Sequence, residues 1–146
     1  MGLRGNTLLA YVAGIIDGEG NIGLHKVGGC NEHPYYALKI SVGNTNAWLI
    51  SFLKMQFGGN IYQRKYDNPH HKDCWVWELH AKGAYILLNL ILPYLQIKRP
   101  QAKLAIQFQK RRKTYKRFNL QARIWDEADK ICMANYNKRG KQEVRK

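Results

Sequence analysis

The stretch Val12-Ala13-Gly14-Ile15-Ile16-Asp17-Gly18-Glu19-Gly20 decides the fold. Leu8, Leu9, Val12, Ile15 and Ile16 recur at helical spacing, and Asn6 or Thr7 stands where a capping side chain belongs. The glycines between Asp17 and Gly20 stop that helix. From Asn21 to Val27 the pattern changes to period two, with Ile22 and Leu24 on one face and Asn21, Gly23, His25 and Val27 on the other, which predicts a strand. An apolar helix therefore closes on two carboxylates and a strand opens directly behind them. Gly14 and Gly18, four residues apart, share a helix face and let another backbone approach closely. If that backbone is the same helix of a second copy, a two-fold axis brings both Glu19 carboxylates towards one point. Like charges so placed require divalent cations or basic groups beside them. The plainer reading is that both acids only terminate the helix; for Asp17, with its short side chain, that reading is retained.

The rest of the chain extends the pattern. A loop through Gly28 to Pro34 precedes a second strand, Tyr35 to Gly43, with Tyr36, Leu38, Ile40 and Val42 on one face and Lys39 and Ser41 on the other. Asn44-Thr45-Asn46 offers a cap for an amphipathic helix carrying Trp48, Leu49, Phe52, Leu53 and Met55, ended by Gly58-Gly59. Asn60 to Tyr66 reads as a strand with Tyr62, Arg64 and Tyr66 outward. In the next, Trp75, Trp77 and Leu79 alternate with Cys74, Val76 and Glu78. A helix from Ala81 to Leu95 presents Ala84, Leu87, Leu88, Ile91 and Leu95. Two more follow: one from Pro100 with Ala102, Ile106 and Phe108 or Gln109, and one from Arg123 to Tyr136 packed through Ile124, Ala128 and Ile131. The expected fold is α+β: an αββαββα core with a four-stranded antiparallel sheet and additional C-terminal helices. Residues 1–137 form one domain and residues 138–146 a basic tail.

Charge points to the partner. The chain of 146 residues has 24 Lys and Arg against 10 Asp and Glu, a formal net charge of +14, so a polyanion is expected. Residues 101–146 hold 14 of the basic and 4 of the acidic side chains. No apolar run approaches the roughly 18 to 20 residues of a membrane span, and the N-terminal stretch lacks a secretory pattern, which leaves nucleic acid and an intracellular setting, organellar or prokaryotic. Three cysteines, Cys30, Cys74 and Cys132, form no C-x-x-C pair and fit a reducing compartment. Cys30 with His33 and His71 with Cys74 have ligand-like spacing, yet isolated pairs of this kind are common by chance. The outward sheet residues Asn21, His25, Lys39, Ser41, Tyr62, Arg64, Tyr66 and Glu78 suit base edges in a major groove. Lys110, Arg111, Arg112, Lys113, Lys116 and Arg117 suit phosphates.

The stretch from Val12 to Gly20 resembles the defining motif of the LAGLIDADG homing endonucleases, at its apolar, small, acidic and glycine positions in order. Tyr11 before it and Asn21-Ile22 after it also fit. The resemblance runs from about Leu8 to Ala102, more loosely beyond. It implies a metal-dependent double-strand DNA endonuclease acting in intron homing, with Glu19 as catalytic metal ligand, the Gly18 carbonyl beside it, and Mg²⁺ or Mn²⁺ as cofactor. Val42-Gly43-Asn44 resembles the segment bearing the family's water-positioning side chain, here Asn44. The segment Pro93 to Ala102 resembles the one that places a basic residue, here Lys98, near the scissile phosphates. With one motif, the chain is similar to the homodimeric branch, whose members cut near-palindromic duplex sites and leave short 3′ extensions. Gly14, Asp17 and Gly18 then belong to the dimer interface. A non-cleaving DNA-binding regulator and an RNA-splicing cofactor are the alternatives on the same fold; the sequence lacks the aromatic signature of an RRM platform.

Overall fold

The first helix, α1 (Gly5–Glu19), buries Val12, Ala13 and Ile16, while its opposite face stays open. The computed structural model describes residues 3–29, 34–114 and 119–138, with the backbone alone for 29, 113 and 114. The helix begins ahead of the expected caps. The Leu8 N–H already donates to the Arg4 carbonyl, which puts Asn6 and Thr7 inside the first turn, and the N-cap Arg4 makes no side-chain cap bond. At the other end the Gly20 N–H closes the last turn on the Ile16 carbonyl, and a Cβ on Gly20 would stand 2.8 Å from that oxygen. Only glycine permits so abrupt a passage from helix to strand.

That strand, β1 (Gly20–Gly29), pairs with β2 (Pro34–Asn44), and the sheet is completed by β3 (Asn60–Arg64) and β4 (Cys74–His80) in the antiparallel order β1-β2-β4-β3. The register sets Ile22 against Ile40, Leu24 against Leu38, Ile40 against Leu79 and Val42 against Trp77. All of these are buried, and each such side chain contributes about 1.5–3 kcal/mol relative to an exposed one. Trp77 also donates its indole N–H to the Gly58 carbonyl at 2.7 Å. At Gly59 the backbone has φ +88°, and a Cβ would lie 2.4 Å from the Glu78 carbonyl oxygen, so the turn into β3 demands glycine.

Between the strand pairs runs α2 (Ala47–Phe57), capped by Asn46, whose Oδ1 accepts the Trp48 N–H at 3.0 Å. Its inward residues are Ile50 and Leu53; Trp48 is 64% exposed and Met55 83%, contrary to the expected stripe. The two outer residues lie on the opposite side of the cylinder, where Trp48 stacks on Phe52 with centroids 5.4 Å apart. Helix α3 (Ala81–Ile91) is shorter than expected: Pro93 lacks an N–H, and the chain continues as a 3-10 turn, Leu92–Tyr94. Helix α4 (Arg99–Thr114) buries Ala102, Ala105, Ile106 and Phe108.

The last helix, α5 (Leu120–Tyr136), reverses the expected facing: Ile124 and Ile131 are more than half exposed, Ala128 is exposed, and Met133 is the buried residue. Hydrogen bonding at the sheet edge accounts for the reversal. β1 is an edge strand, and Lys130 Nζ donates to the Leu24 carbonyl at 2.6 Å while Asn137 Nδ2 donates to the Ile22 carbonyl at 2.9 Å. Edge carbonyls need such partners when covered, so the polar side of α5 turns towards the sheet. Among the described residues no helix is long and apolar enough to cross a membrane.

Candidate active site

Glu19, the last residue of α1, is exposed and lines two open clefts at once. The first, about 560 Å³, also takes in Gly18, Asn21, Ile97, Lys98, Gln101 and Asn137. The second, about 530 Å³, takes in Asn44, Tyr66, His70, His71, Lys72 and Cys74. Three segments distant in sequence thus converge on the end of one helix.

Asp17 explains how Lys98 is held there. Its carboxylate accepts the backbone N–H groups of Gln96 at 2.7 Å, Ile97 at 3.2 Å and Lys98 at 2.9 Å. The Lys98 ammonium returns to the Asp17 carbonyl at 2.6 Å. The segment entering α4 is therefore fastened to the end of α1 by a residue two positions before Glu19. Burial pushes the Lys98 ammonium below its ordinary pKa, opposed by the negative charges of Asp17 and Glu19. Asn44 ends β2 with its Oδ1 accepting the Asn46 N–H at 2.8 Å, so it shapes the turn while Asn46 caps the helix.

Among the described residues, Glu19 is the sole acidic side chain lining either cleft, and no group of three or more His, Cys, Asp or Glu could hold a metal ion. The described residues thus form no all-protein metal cage, and among them His71 with Cys74 gains no further ligand. An exposed carboxylate beside a backbone carbonyl does fit Mg²⁺, which is commonly bound through one or two carboxylates with water and substrate phosphates. Cys30 and His33 lie outside the described residues. Gly14 and Gly18 are exposed, and a Cβ on either would meet nothing within 4 Å. That face of α1 is free to receive another helix.

The outer sheet face carries a linked polar network. Strand register aligns Asn21 with Ser41 and Ser41 with Glu78, and sets Lys39 beside both Gly23 and His80. Glu78 Oε1 accepts from Lys39 Nζ and from the Tyr62 hydroxyl, each at 3.2 Å, and His80 Nε2 lies 3.3 Å from Oε2. Burial pushes the Glu78 carboxyl up, but Lys39, Tyr62 and His80 together leave it below its ordinary value. Burial, then Lys39 and His80, lower His25, whose ring meets that of His80 at 5.3 Å. Arg64 Nη2 donates to the Tyr62 hydroxyl at 3.4 Å. Tyr66 lies beyond β3, against the ring of His71 and in the second cleft.

The basic segment of α4 divides. Lys110 is exposed. Arg111 pairs with Asp129 and, at 3.5 Å, with Asp126; Arg112 lies 3.2 Å from Asp126 and donates to the Tyr36 carbonyl. These two guanidinium groups tie α4 to α5 and β2. The side chain of Lys113, together with Lys116 and Arg117, lies outside the described residues. Sequence reasoning passed over His80, although two residues beyond Glu78 in a strand places it on the same face. It also passed over His70 and Lys72, and read His71 only for its spacing from Cys74; the approach of all three to Glu19 depends on how the β3–β4 connection folds back.

No protein-family model and no curated protein matches the sequence. Solved structures do resemble it. The homing endonuclease I-CvuI, in complex with the I-CreI target, has a TM-score of 0.73 at 19% identity, over 94% of this chain and 86% of that chain. The archaeal intron-encoded homing endonuclease I-Vdi141I, complexed with DNA, has a TM-score of 0.75 at 13% identity, over 94% and 89%. I-SmaMI, bound to an uncleaved DNA target with calcium ions, has a TM-score of 0.67 at 18% identity; 92% of this chain covers only 46% of that one. At these identities the likeness establishes the fold, the one found in LAGLIDADG homing endonucleases.

Proposed function

We propose that this chain is a LAGLIDADG homing endonuclease of the homodimeric branch, which cuts a long, near-palindromic DNA duplex by metal-dependent phosphodiester hydrolysis. The observation that carries the reading is Glu19: an exposed carboxylate at the end of α1, in one cleft with Lys98 and in another with Asn44. The fold, and its likeness to proteins solved on DNA, supports the duplex as substrate. The open Gly14 and Gly18 face of α1, where an added Cβ would meet nothing within 4 Å, supports two copies per working unit joined through it.

In this reading Glu19 and the Gly18 carbonyl would hold Mg²⁺ or Mn²⁺. The bound cation supplies Lewis-acid polarisation and a more acidic water. Lys98, anchored by Asp17, presents positive charge to the phosphoryl oxygens as negative charge develops on them. Asn44 orients water from the other side. The sheet face, from Asn21 and His25 through Lys39, Ser41, Tyr62, Arg64 and Glu78, reads base edges, and Lys110 with Lys113, Lys116 and Arg117 meets phosphates, while Arg111 and Arg112 hold α4 to α5 and β2. The products carry short 3′ extensions.

The decisive variant is Glu19→Gln, which keeps size and hydrogen bonding but removes the charge. Binding to a duplex selected from a randomised pool is expected to persist, while cleavage with Mg²⁺ is lost. Cleavage at the parent rate under matched Mg²⁺ would remove Glu19 from the reaction.

A further inference from the structure

We infer that the end of the β3–β4 hairpin forms a second donor wall of the active site, in which His70, His71 and Lys72 bind the reacting DNA strand across Glu19 from Lys98. The inference rests on the endonuclease reading and adds to it a set of residues and a path for the strand. The connection from residue 65 to residue 73 is far longer than the two-residue turn that suffices to join antiparallel strands. Its length carries the three side chains to the cleft that Glu19 and Asn44 also line.

The hairpin end is braced where it stands. Gln63 Nε2 donates to Asp73 at 3.3 Å across its base. Asn68 accepts twice, from the His70 N–H on Oδ1 and from the His71 N–H on its carbonyl, both at 3.0 Å. The rings of Tyr66 and His71 meet at 5.5 Å. Local bonds therefore hold the segment as a folded tip, which lowers the entropy lost when its donors engage a ligand.

The chemistry of the cleft selects the ligand. Among the described residues its single carboxylate belongs to Glu19, and the segment Gly43-Asn44-Thr45 brings no cationic side chain. Among the described residues, every cationic or imidazole group lining this cleft comes from the hairpin. An ammonium and two imidazoles, each able to donate N–H bonds, suit the oxygens of a phosphodiester. Because Glu19 lines the Lys98 cleft as well, a strand with one phosphate at Glu19 would meet donors from α4's entry on one side and from the hairpin on the other.

The test compares the parent with the triple variant His70→Asn, His71→Asn, Lys72→Gln, on a duplex selected by the parent from a randomised pool. Single-turnover cleavage at saturating enzyme with Mg²⁺ is expected to fall roughly 10²-fold, the loss typical of a removed transition-state donor. Ethylation of the phosphate at the cleavage step is expected to interfere with binding by the parent in Ca²⁺ and not with binding by the variant, while interference elsewhere persists. Cleavage at the parent rate overturns the inference, as does a loss that more enzyme repairs, because the hairpin would then serve affinity alone. If the parent binds the duplex but never cuts it, the endonuclease reading fails separately; an unchanged ethylation pattern in the variant then overturns the hairpin contact as well. Should the triple variant unfold, Lys72→Gln and His71→Asn made singly are expected to show the same change in smaller degree, and no change in either overturns it.

Discussion

Asp17→Ala tests how the candidate site is assembled, because one carboxylate gathers three backbone N–H groups from the segment that carries Lys98. Truncation leaves all three donors without that acceptor. The Gln96 and Ile97 groups are exposed and regain water, so each costs only a few tenths of a kcal/mol, whereas the partly buried Lys98 N–H loses a charged acceptor worth about 1.5–3 kcal/mol. The expected loss of stability is therefore about 2–3 kcal/mol, or roughly 5–12 °C in Tm for a domain of this size. A functional loss should exceed the structural one. The ammonium of Lys98 is disfavoured by burial and favoured by Asp17, so removal of the carboxylate weakens both its position and its charge. Thermal unfolding by circular dichroism and single-turnover cleavage well below Tm measure the two losses separately. At that temperature the folded variant is expected to cleave at least about tenfold more slowly, within the range for a displaced electrostatic group. Asp17→Asn, which keeps one acceptor oxygen, should fall between. An unchanged Tm refutes the anchoring argument; a lowered Tm with unchanged cleavage shows that Asp17 does not position Lys98 for the reaction.

Two further perturbations probe the interface and the sheet face. Gly14→Leu puts a side chain where the single chain has open space, so folding should be unharmed and the isolated helix favoured by up to about 1 kcal/mol, whereas a close helix pair cannot form. Sedimentation should show a folded monomer that no longer cleaves, and an intact dimer would place the interface elsewhere. Glu78→Gln should cost about 1 kcal/mol at neutral pH through loss of the charge-assisted contacts to Lys39 and Tyr62. Because the folded carboxyl lies below its ordinary 4.5, its stabilisation is complete above that value and fades as pH falls through the folded one. Urea unfolding of parent and variant should therefore converge in acid; a gap that stays constant or widens contradicts the ion pair.

The stretch from Val12 to Gly20 was legible by itself: apolar spacing gives the helix, glycine its abrupt end, and alternation the strand that follows. These are local effects, set within a few residues, and they fixed the α+β order and the place of Glu19. The same alternation found most of the sheet face, since the period of a strand assigns each residue a side. Facing failed where a distant partner decided it. The apolar positions Ile124, Ala128 and Ile131 read as a packed stripe, yet α5 turns Lys130 inward, and Asn137 follows at its C-cap, because the carbonyls of Leu24 and Ile22 need partners on the sheet edge. Arg111 and Arg112 read as phosphate contacts, but folding brings Asp126 and Asp129 against them.

Sequence alone thus determined the end of α1 and the presence of its carboxylate, because backbone propensity and side-chain periodicity act over one or two turns. Only tertiary structure decided what stands beside that carboxylate. Asp17 meets residues about 80 positions away, and His70, His71 and Lys72 reach the second cleft through a folded connection. Hydrogen bonds and charges across such separations depend on chain return, which no local pattern encodes.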